Sequence, residues 1–334
     1  MDAASNDVAN AMDTSHADDG EAGADGDGAT LQYNIDLSST SVSGLSSGGF
    51  MAVQFHVAFS SIMKGAAVFA GGPYMCSQGS LNTALTSCAG GTPTIDVSTL
   101  VALTNQNATN GVIDAPSALA AQHVFLFGGA DDIVVNPVVM DALDAYYAAF
   151  VPSASIQYVD RRPGTSHTLP TLTYGNPCDV VSSPYIGDCN YDGAGTALTQ
   201  IYGTLAPPAT TPTGMLVAIP QGAYISNPAL HSLDTTAQLY VPTSCQNGAL
   251  CKIHVAFHGC LQAAGLVGDA FYAHGGYNEW ADTNNIMVLY PQTIGSASNP
   301  DACWDFWGYD GPDFATQNGP QMAMVRAMIA GLAN

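Results

Sequence analysis

Strand-like and helix-like segments alternate from Thr30 to the end of this 334-residue chain, and that alternation limits the possible folds more than any other feature. The runs TLQYNID (30–36), TSVSG (40–44), KGAAVFAG (64–71), QHVFLFGG (122–129) and SIQYVD (155–160) read as strands. So do AQLYVP (237–242), KIHVAFHG (252–259) and IMVLYPQ (286–292). Between them, MAVQFHVAFSS, DVSTLVALTNQ, PVVMDALDAYYAAF and TALTQIYGTL carry apolar residues at helical spacing, and GPQMAMVRAMIAGLAN closes the chain as a helix. Such alternation predicts an α/β fold with a largely parallel sheet flanked by helices. No internal repeat or Pro/Ser-rich linker interrupts residues 30–334, so one catalytic domain is expected there. Residues 1–29 carry eight acids, no Lys or Arg and almost no large apolar residue, so a solvated, disordered acidic tail is expected.

The first strand-to-helix junction carries a reactive-site pattern. Gly44-Leu45-Ser46-Ser47-Gly48 fits G-x-S-x-G in the context that a nucleophile elbow requires. The turn is so sharp that the positions two before and two after the serine must be small. Gly44 and Gly48 meet that need around Ser46 but not around Ser47. The helix start then offers the Ser47 backbone N–H to a developing oxyanion. A serine hydroxyl is a weak nucleophile without a positioned base and an orienting acid. After the QHVFLF strand the loop GGADDIVVNP carries two aspartates, and Gly129, Asp132 and Val135 fit a G-x-x-D-x-x-V acid-loop frame. Asp131 then reads as a solvated neighbour. After the next strand, RRPGTSHTLPT places His167 in a Gly/Ser/Thr/Pro loop, where a general base belongs. The other seven histidines sit in the tail, within elements or in polar segments, and His258 reads as a brace for its own loop.

Ser46, Asp132 and His167 follow the order nucleophile, acid, histidine seen in α/β-hydrolases. One part is out of place. The run KIHVAFHGCLQ ends a strand in His-Gly, which is how many such enzymes build the first half of an oxyanion hole. It lies about two hundred residues after the serine instead of before it. A circular permutation accounts for this, because the order becomes ordinary when residues 214–334 are read before 30–213. It requires chain ends that lie close together.

Composition narrows the partners. The net charge is −22, with only five Lys and Arg, which excludes a phosphate-backbone footprint and disfavours anionic membranes. No apolar run of about 18 residues suggests a membrane span. A basic n-region followed by an apolar h-region is also missing, so any signal peptide lies outside this sequence. Eight cysteines without C-x2-C pairs favour disulfides and an oxidising compartment over zinc. Pairing neighbours gives 76–88, 178–189, 245–251 and 260–303, a connectivity that sequence alone leaves open.

With GLSSGGFMAVQFHVAFS, GGADDIVVNP, SHTLPT, CNYDGAG, VAFHGCLQ and CWDFWGYDG in hand, the chain resembles the secreted poly(3-hydroxybutyrate) depolymerases whose α/β-hydrolase catalytic domain is circularly permuted. The resemblance runs from about Thr30 to the C-terminus. It implies Ser46 as nucleophile, Asp132 as orienter and His167 as base, with an oxyanion hole from the Ser47 and Cys260 backbone N–H groups. It also implies Trp307, and more weakly Trp304, as substrate-lining residues, although core packing explains a tryptophan equally well. A secreted monomer acting on a polyester surface or its oligomers, with no metal or organic cofactor, is the expectation. No separate polymer-binding domain is expected. Esterases for soluble or plant-derived feruloyl and acetyl esters would use the same machinery. A non-catalytic polymer-binding protein would have no use for a complete Ser-His-Asp set.

Overall fold

Eight strands join into one sheet whose spatial order differs from the order of the chain. The computed structural model describes residues 32–333, so the acidic segment 1–29 lies outside the described residues. In chain order the strands are β1 (Thr40–Leu45), β2 (Met63–Phe69), β3 (His123–Gly129), β4 (Ile156–Arg162), β5 (Leu169–Thr171), β6 (Asn176–Pro177), β7 (Ile186–Asp188), β8 (Met215–Pro220), β9 (Thr236–Val241), β10 (Lys252–Phe257) and β11 (Ile286–Tyr290). The main sheet runs β4-β3-β2-β1-β10-β11-β9-β8, and β5, β7 and β6 form a small second sheet. Every neighbouring pair of the main sheet is parallel except those made by β9, which is antiparallel to both β8 and β11.

Read from residue 214 to the C-terminus and then from 40 onward, the main sheet acquires the order 1-2-4-3-5-6-7-8, with only its second strand antiparallel. The permutation is therefore visible as topology. Its geometric requirement is also met: Tyr33 forms a parallel bridge to Ala333, and the Tyr33 N–H donates to the Leu332 carbonyl at 2.8 Å. Of the run 30–36, expected as a strand, the described residues 32–36 make isolated bridges at Tyr33 and Ile35, the latter to Cys251. They touch two different partners one residue at a time, so no ladder propagates. The strand β8 has no counterpart in the sequence reading. Its MLVAIP run is largely exposed at the sheet edge and lacks the buried apolar pattern that marks the others.

The helices that matter for the site are α1 (Ser47–Ala58), α2 (Val97–Thr109), α3 (Pro137–Ala148), α4 (Gly193–Tyr202), α5 (Tyr277–Asn284) and α6 (Pro320–Leu332). All twelve residues of α1 are buried, because it packs on β1, β2 and β10 and is covered on its other side. Helix starts follow local chemistry. Asp96, Asn136 and Asp192 accept backbone N–H groups at the first turns of α2, α3 and α4, and Pro137 opens α3.

The two permuted parts meet where β1 pairs with β10, in register Ser41 to His254 and Ser43 to Ala256. A buried polar stitch crosses this seam. His254 Nδ1 lies 2.6 Å from Ser41 Oγ and its Nε2 2.7 Å from Ser43 Oγ. Tyr202 and Tyr277 complete the network at 2.6 and 2.7 Å. Burial pushes the His254 pKa down to about 3, so the ring is neutral and each serine hydroxyl can turn to match it. Removing one member leaves a buried polar group unpaired, at a cost of about 1–3 kcal/mol.

All eight cysteines are paired, as 76–88, 178–189, 245–251 and 260–303.

Candidate active site

Ser46 sits between β1 and α1 with φ 58° and ψ −124°, a backbone conformation that L-residues rarely adopt. The turn holds this strain because its surroundings determine it fully. The Ser46 N–H donates to the Phe69 carbonyl at the end of β2, and the Ser46 carbonyl accepts the Phe50 N–H, both at 3.0 Å. A Cβ on Gly44 would collide with the Gly48 carbonyl, and one on Gly48 would collide with the Phe257 and His258 carbonyls. Gly48 is thus required by the His-Gly strand end that arrives two hundred residues later, a reason the turn pattern alone did not reveal.

The acid and histidine loops leave β3 and β4 side by side. The Asp131 N–H donates to the Thr165 carbonyl at 3.0 Å, and the Ser166 hydroxyl donates to the Asp131 carbonyl at 3.3 Å. The Asp131 side chain is exposed, whereas Asp132 turns inward. Asp132 Oδ1 accepts the Val134 and Val135 N–H groups at 2.8 Å each. Its Oδ2 lies 2.8 Å from His167 Nδ1, and both side chains are buried. A carboxylate so held only accepts, so Nδ1 carries the proton and Nε2 is left as the basic nitrogen. The Ser166 N–H is fixed by the Cys178 carbonyl at 2.9 Å, which ties the histidine loop to the 178–189 disulfide. Ser46 and His167 line the same cavity.

The cavity holds about 520 Å³ and its walls are mostly apolar. Phe50 and Phe306 stack in its wall with ring centroids 4.4 Å apart, and Trp307 packs edge-on against Phe306 at 5.0 Å. Leu81, Leu85, Val134 and Leu261 line it while remaining 39–63% exposed, which gives the mouth an apolar rim.

The backbone N–H groups of Ser47, at the start of α1, and of Cys260 are among those in this region with no hydrogen-bond partner among the described residues. Three amides beside that of Cys260 are engaged. The Gly259 N–H donates to Gln262 Oε1 at 2.8 Å, the Leu261 N–H to the Asp301 carbonyl at 2.7 Å, and the Gln262 N–H to the Gly259 carbonyl at 3.3 Å. The segment after Asp301 ties both unpaired amides together. Cys303 is bonded to Cys260, and the Trp304 N–H donates to Ser47 Oγ at 3.3 Å.

His258 is fully buried, and burial pushes its pKa down to about 4. It accepts the Thr293 N–H on Nε2 at 3.3 Å and donates from Nδ1 to the Gly259 carbonyl at 2.7 Å, so it braces its loop. A second His–carboxylate pair, His231 with Asp310 at 2.9 Å, had no signal in the sequence, and neither residue lines the cavity.

The two tryptophans differ sharply. Trp307 lines the cavity. Trp304 does not and is a correction to the sequence reading. It is 0% exposed, wedged edge-on against Phe257 at 5.0 Å and beside His258 at 5.5 Å. The cause is Asp305, whose buried carboxylate accepts the N–H groups of Trp307, Gly308, Tyr309 and Asp310 at 2.6–3.2 Å. The chain curls around that carboxylate and turns residue 307 away from the core that residue 304 enters. Trp304→Ala is expected to cost about 3–5 kcal/mol of stability, measured by denaturant unfolding.

Replacing both Cys260 and Cys303 by serine opens a 43-residue span. The expected loss is about 4 kcal/mol if chain entropy dominates. A fall in kcat measured on the folded fraction should accompany it, since the Cys260 amide loses its covalent anchor. An unchanged Tm would show that the bridge does not constrain the unfolded chain.

No family model matches the chain. It is 48% identical over 300 residues to a poly(3-hydroxybutyrate) depolymerase of Delftia acidovorans, covering 88% of this chain and 60% of that protein. The chain thus spans only 60% of the length of that relative. It is 42% identical over 317 residues to a polyhydroxybutyrate depolymerase of Talaromyces funiculosus, covering 89% and 90% of the two chains. The crystal structure of a PHB depolymerase from Penicillium funiculosum superposes with a TM-score of 0.83 at 38% identity, over 91% of this chain and 99% of that one. A serine-to-alanine PHB depolymerase complexed with an R3HB trimer gives 0.82 at 38% identity, over 91% and 97%.

Proposed function

The chain belongs to the poly(3-hydroxybutyrate) depolymerases, and from that membership we propose that it hydrolyses the ester bonds of this polyester through Ser46, His167 and Asp132. The observation that carries the reading is the buried Asp132–His167 pair, whose histidine shares one apolar cavity with a strained Ser46 and the Cys260 loop. His167 Nε2 takes the Ser46 proton as Oγ attacks the ester carbonyl, and Asp132 stabilises the imidazolium that forms. The Ser47 and Cys260 amides receive the oxyanion, each contributing about 3–4 kcal/mol to the transition state. Collapse of the tetrahedral species expels the alcohol end of the chain, protonated by His167. Water activated by the same ring then releases the 3-hydroxyacyl group as a monomer or short oligomer. Four disulfides support secretion, and the apolar rim supports contact with a neutral solid polymer.

The test is clearing of a poly(3-hydroxybutyrate) film, with products identified by mass, beside turnover of small feruloyl and acetyl esters. Film clearing with release of 3-hydroxybutyrate units supports the proposal. Turnover of the small esters alone removes the polymer from it. Trp307→Ala is expected to lower kcat/KM on an R3HB trimer by about 5- to 30-fold, equivalent to ~1–2 kcal/mol of lost ring contact. An unchanged value would take Trp307 out of the substrate crevice.

A further inference from the structure

We propose that Gln262 is a positioning residue for this reaction, setting the direction of the Cys260 N–H and tying it to the segment that carries the base. The inference rests on the proposed use of that amide as an oxyanion donor. Gln262 is completely buried, and it grips Gly259 from both sides. Its side-chain Oε1 accepts the Gly259 N–H at 2.8 Å, and its backbone N–H donates to the Gly259 carbonyl at 3.3 Å. The Gly259 carbonyl and the Cys260 N–H belong to one planar trans peptide and point in opposite directions. His258 Nδ1, at 2.7 Å, and the Gln262 backbone N–H hold that carbonyl, and the Gln262 side chain fixes the other end of Gly259 through its N–H, so the residue between the two peptides cannot swing and the Cys260 N–H keeps its aim.

The far end of the same carboxamide reaches the other half of the site. Its Nε2 donates to the Pro184 carbonyl at 2.9 Å and the Tyr185 carbonyl at 3.2 Å. The Tyr185 carbonyl also accepts the Leu169 N–H at 2.9 Å, two residues beyond His167. Tyr185 lines the cavity at φ 58°, a conformation an aromatic residue keeps only when its surroundings hold it. A continuous chain of hydrogen bonds thus runs from the oxyanion loop through Gln262 to the histidine strand. It joins the late part of the sequence to the early part across the permuted seam. Only a carboxamide fits, since the contacts need an acceptor at one end and two donated hydrogens at the other.

Two variants test this on a soluble R3HB trimer, with rates expressed per active site titrated by a phosphonate ester, so that misfolded protein does not count. Gln262→Met keeps the length and removes all three side-chain bonds. Its kcat is expected to fall by about 10²-fold with KM nearly unchanged, the size of losing one oxyanion donor. Gln262→Glu keeps the acceptor for Gly259 but sets a carboxylate against two carbonyls unless it is protonated. Its kcat relative to wild type should therefore rise as pH is lowered through the glutamate range and fall above it. A residue that only packs would lower Tm and the titratable fraction while leaving kcat per site and its pH ratio unchanged. If Gln262→Met does not fold, the pH ratio of Gln262→Glu decides. Values within two-fold of wild type at every pH overturn the proposal. Ser46→Ala run in parallel separates the two readings, because survival of its activity would sink the serine mechanism itself, independently of Gln262.

Discussion

Ser46→Ala is expected to reduce kcat on an R3HB trimer by on the order of 10⁶-fold, with KM close to wild type. In the proposed mechanism the Ser46 hydroxyl forms the acyl-enzyme, so its loss removes covalent catalysis. The cavity, the two free amides and the Asp132–His167 pair all remain. A residual rate of roughly 10³–10⁴ over the uncatalysed reaction should therefore survive. Stability should not fall, since alanine fits the same strained turn as well as serine does. The measurement is single-turnover release followed by mass, with a melting curve as control. A variant within ten-fold of wild type, properly folded, would mean that Ser46 is not the nucleophile.

The second large effect is expected at Asp132. Asp132→Asn should lower kcat by about 10⁴-fold while leaving the fold intact. The cause is a tautomer and not a lost contact. An asparagine can still accept the Val134 and Val135 N–H groups through its Oδ1. Its Nδ2 then faces His167 Nδ1 as a donor. The ring must answer with a bare Nδ1, so its proton moves to Nε2 and the ring can no longer take the serine's proton. Asp131→Asn is the matched control. That side chain is exposed and only its backbone joins the two loops, so activity within about two-fold of wild type is expected. Equal losses at both positions would indicate a charge effect on the loop and not orientation of His167. Nuclear magnetic resonance of the histidine ring protons distinguishes the two tautomers directly.

Much of the candidate site was legible because its residues lie just after strand ends, where apolar periodicity stops and small residues begin. Ser46, Asp132 and His167 each follow a strand that the apolar pattern marks clearly. The cysteine pairs 76–88, 178–189 and 245–251 are local, so nearest-neighbour pairing matches them, and 260–303 is what remains. Edges were harder to read. Strand β8 is exposed along most of its length, and residues 32–36 look extended yet find only scattered partners.

Local order, in the end, was determined by sequence: which strand precedes which helix, where the turn must be small, and that the His-Gly strand comes too late for an unpermuted chain. Those are properties of a few consecutive residues, and backbone sterics and apolar spacing act at that range. Only the tertiary structure decided what depends on meetings across the chain. It paired β1 with β10, set Tyr33 beside Ala333, and required Gly48 to be small against residues 257 and 258. It also separated Trp304 from Trp307, three positions apart in a loop with no periodicity, because the amides after Asp305 had to find one buried carboxylate. And it left the Cys260 N–H free by engaging its neighbours with Gln262 and Asp301. Buried backbone groups must be satisfied by whatever the fold brings near, so which amide remains unpaired is settled only when the whole chain has packed.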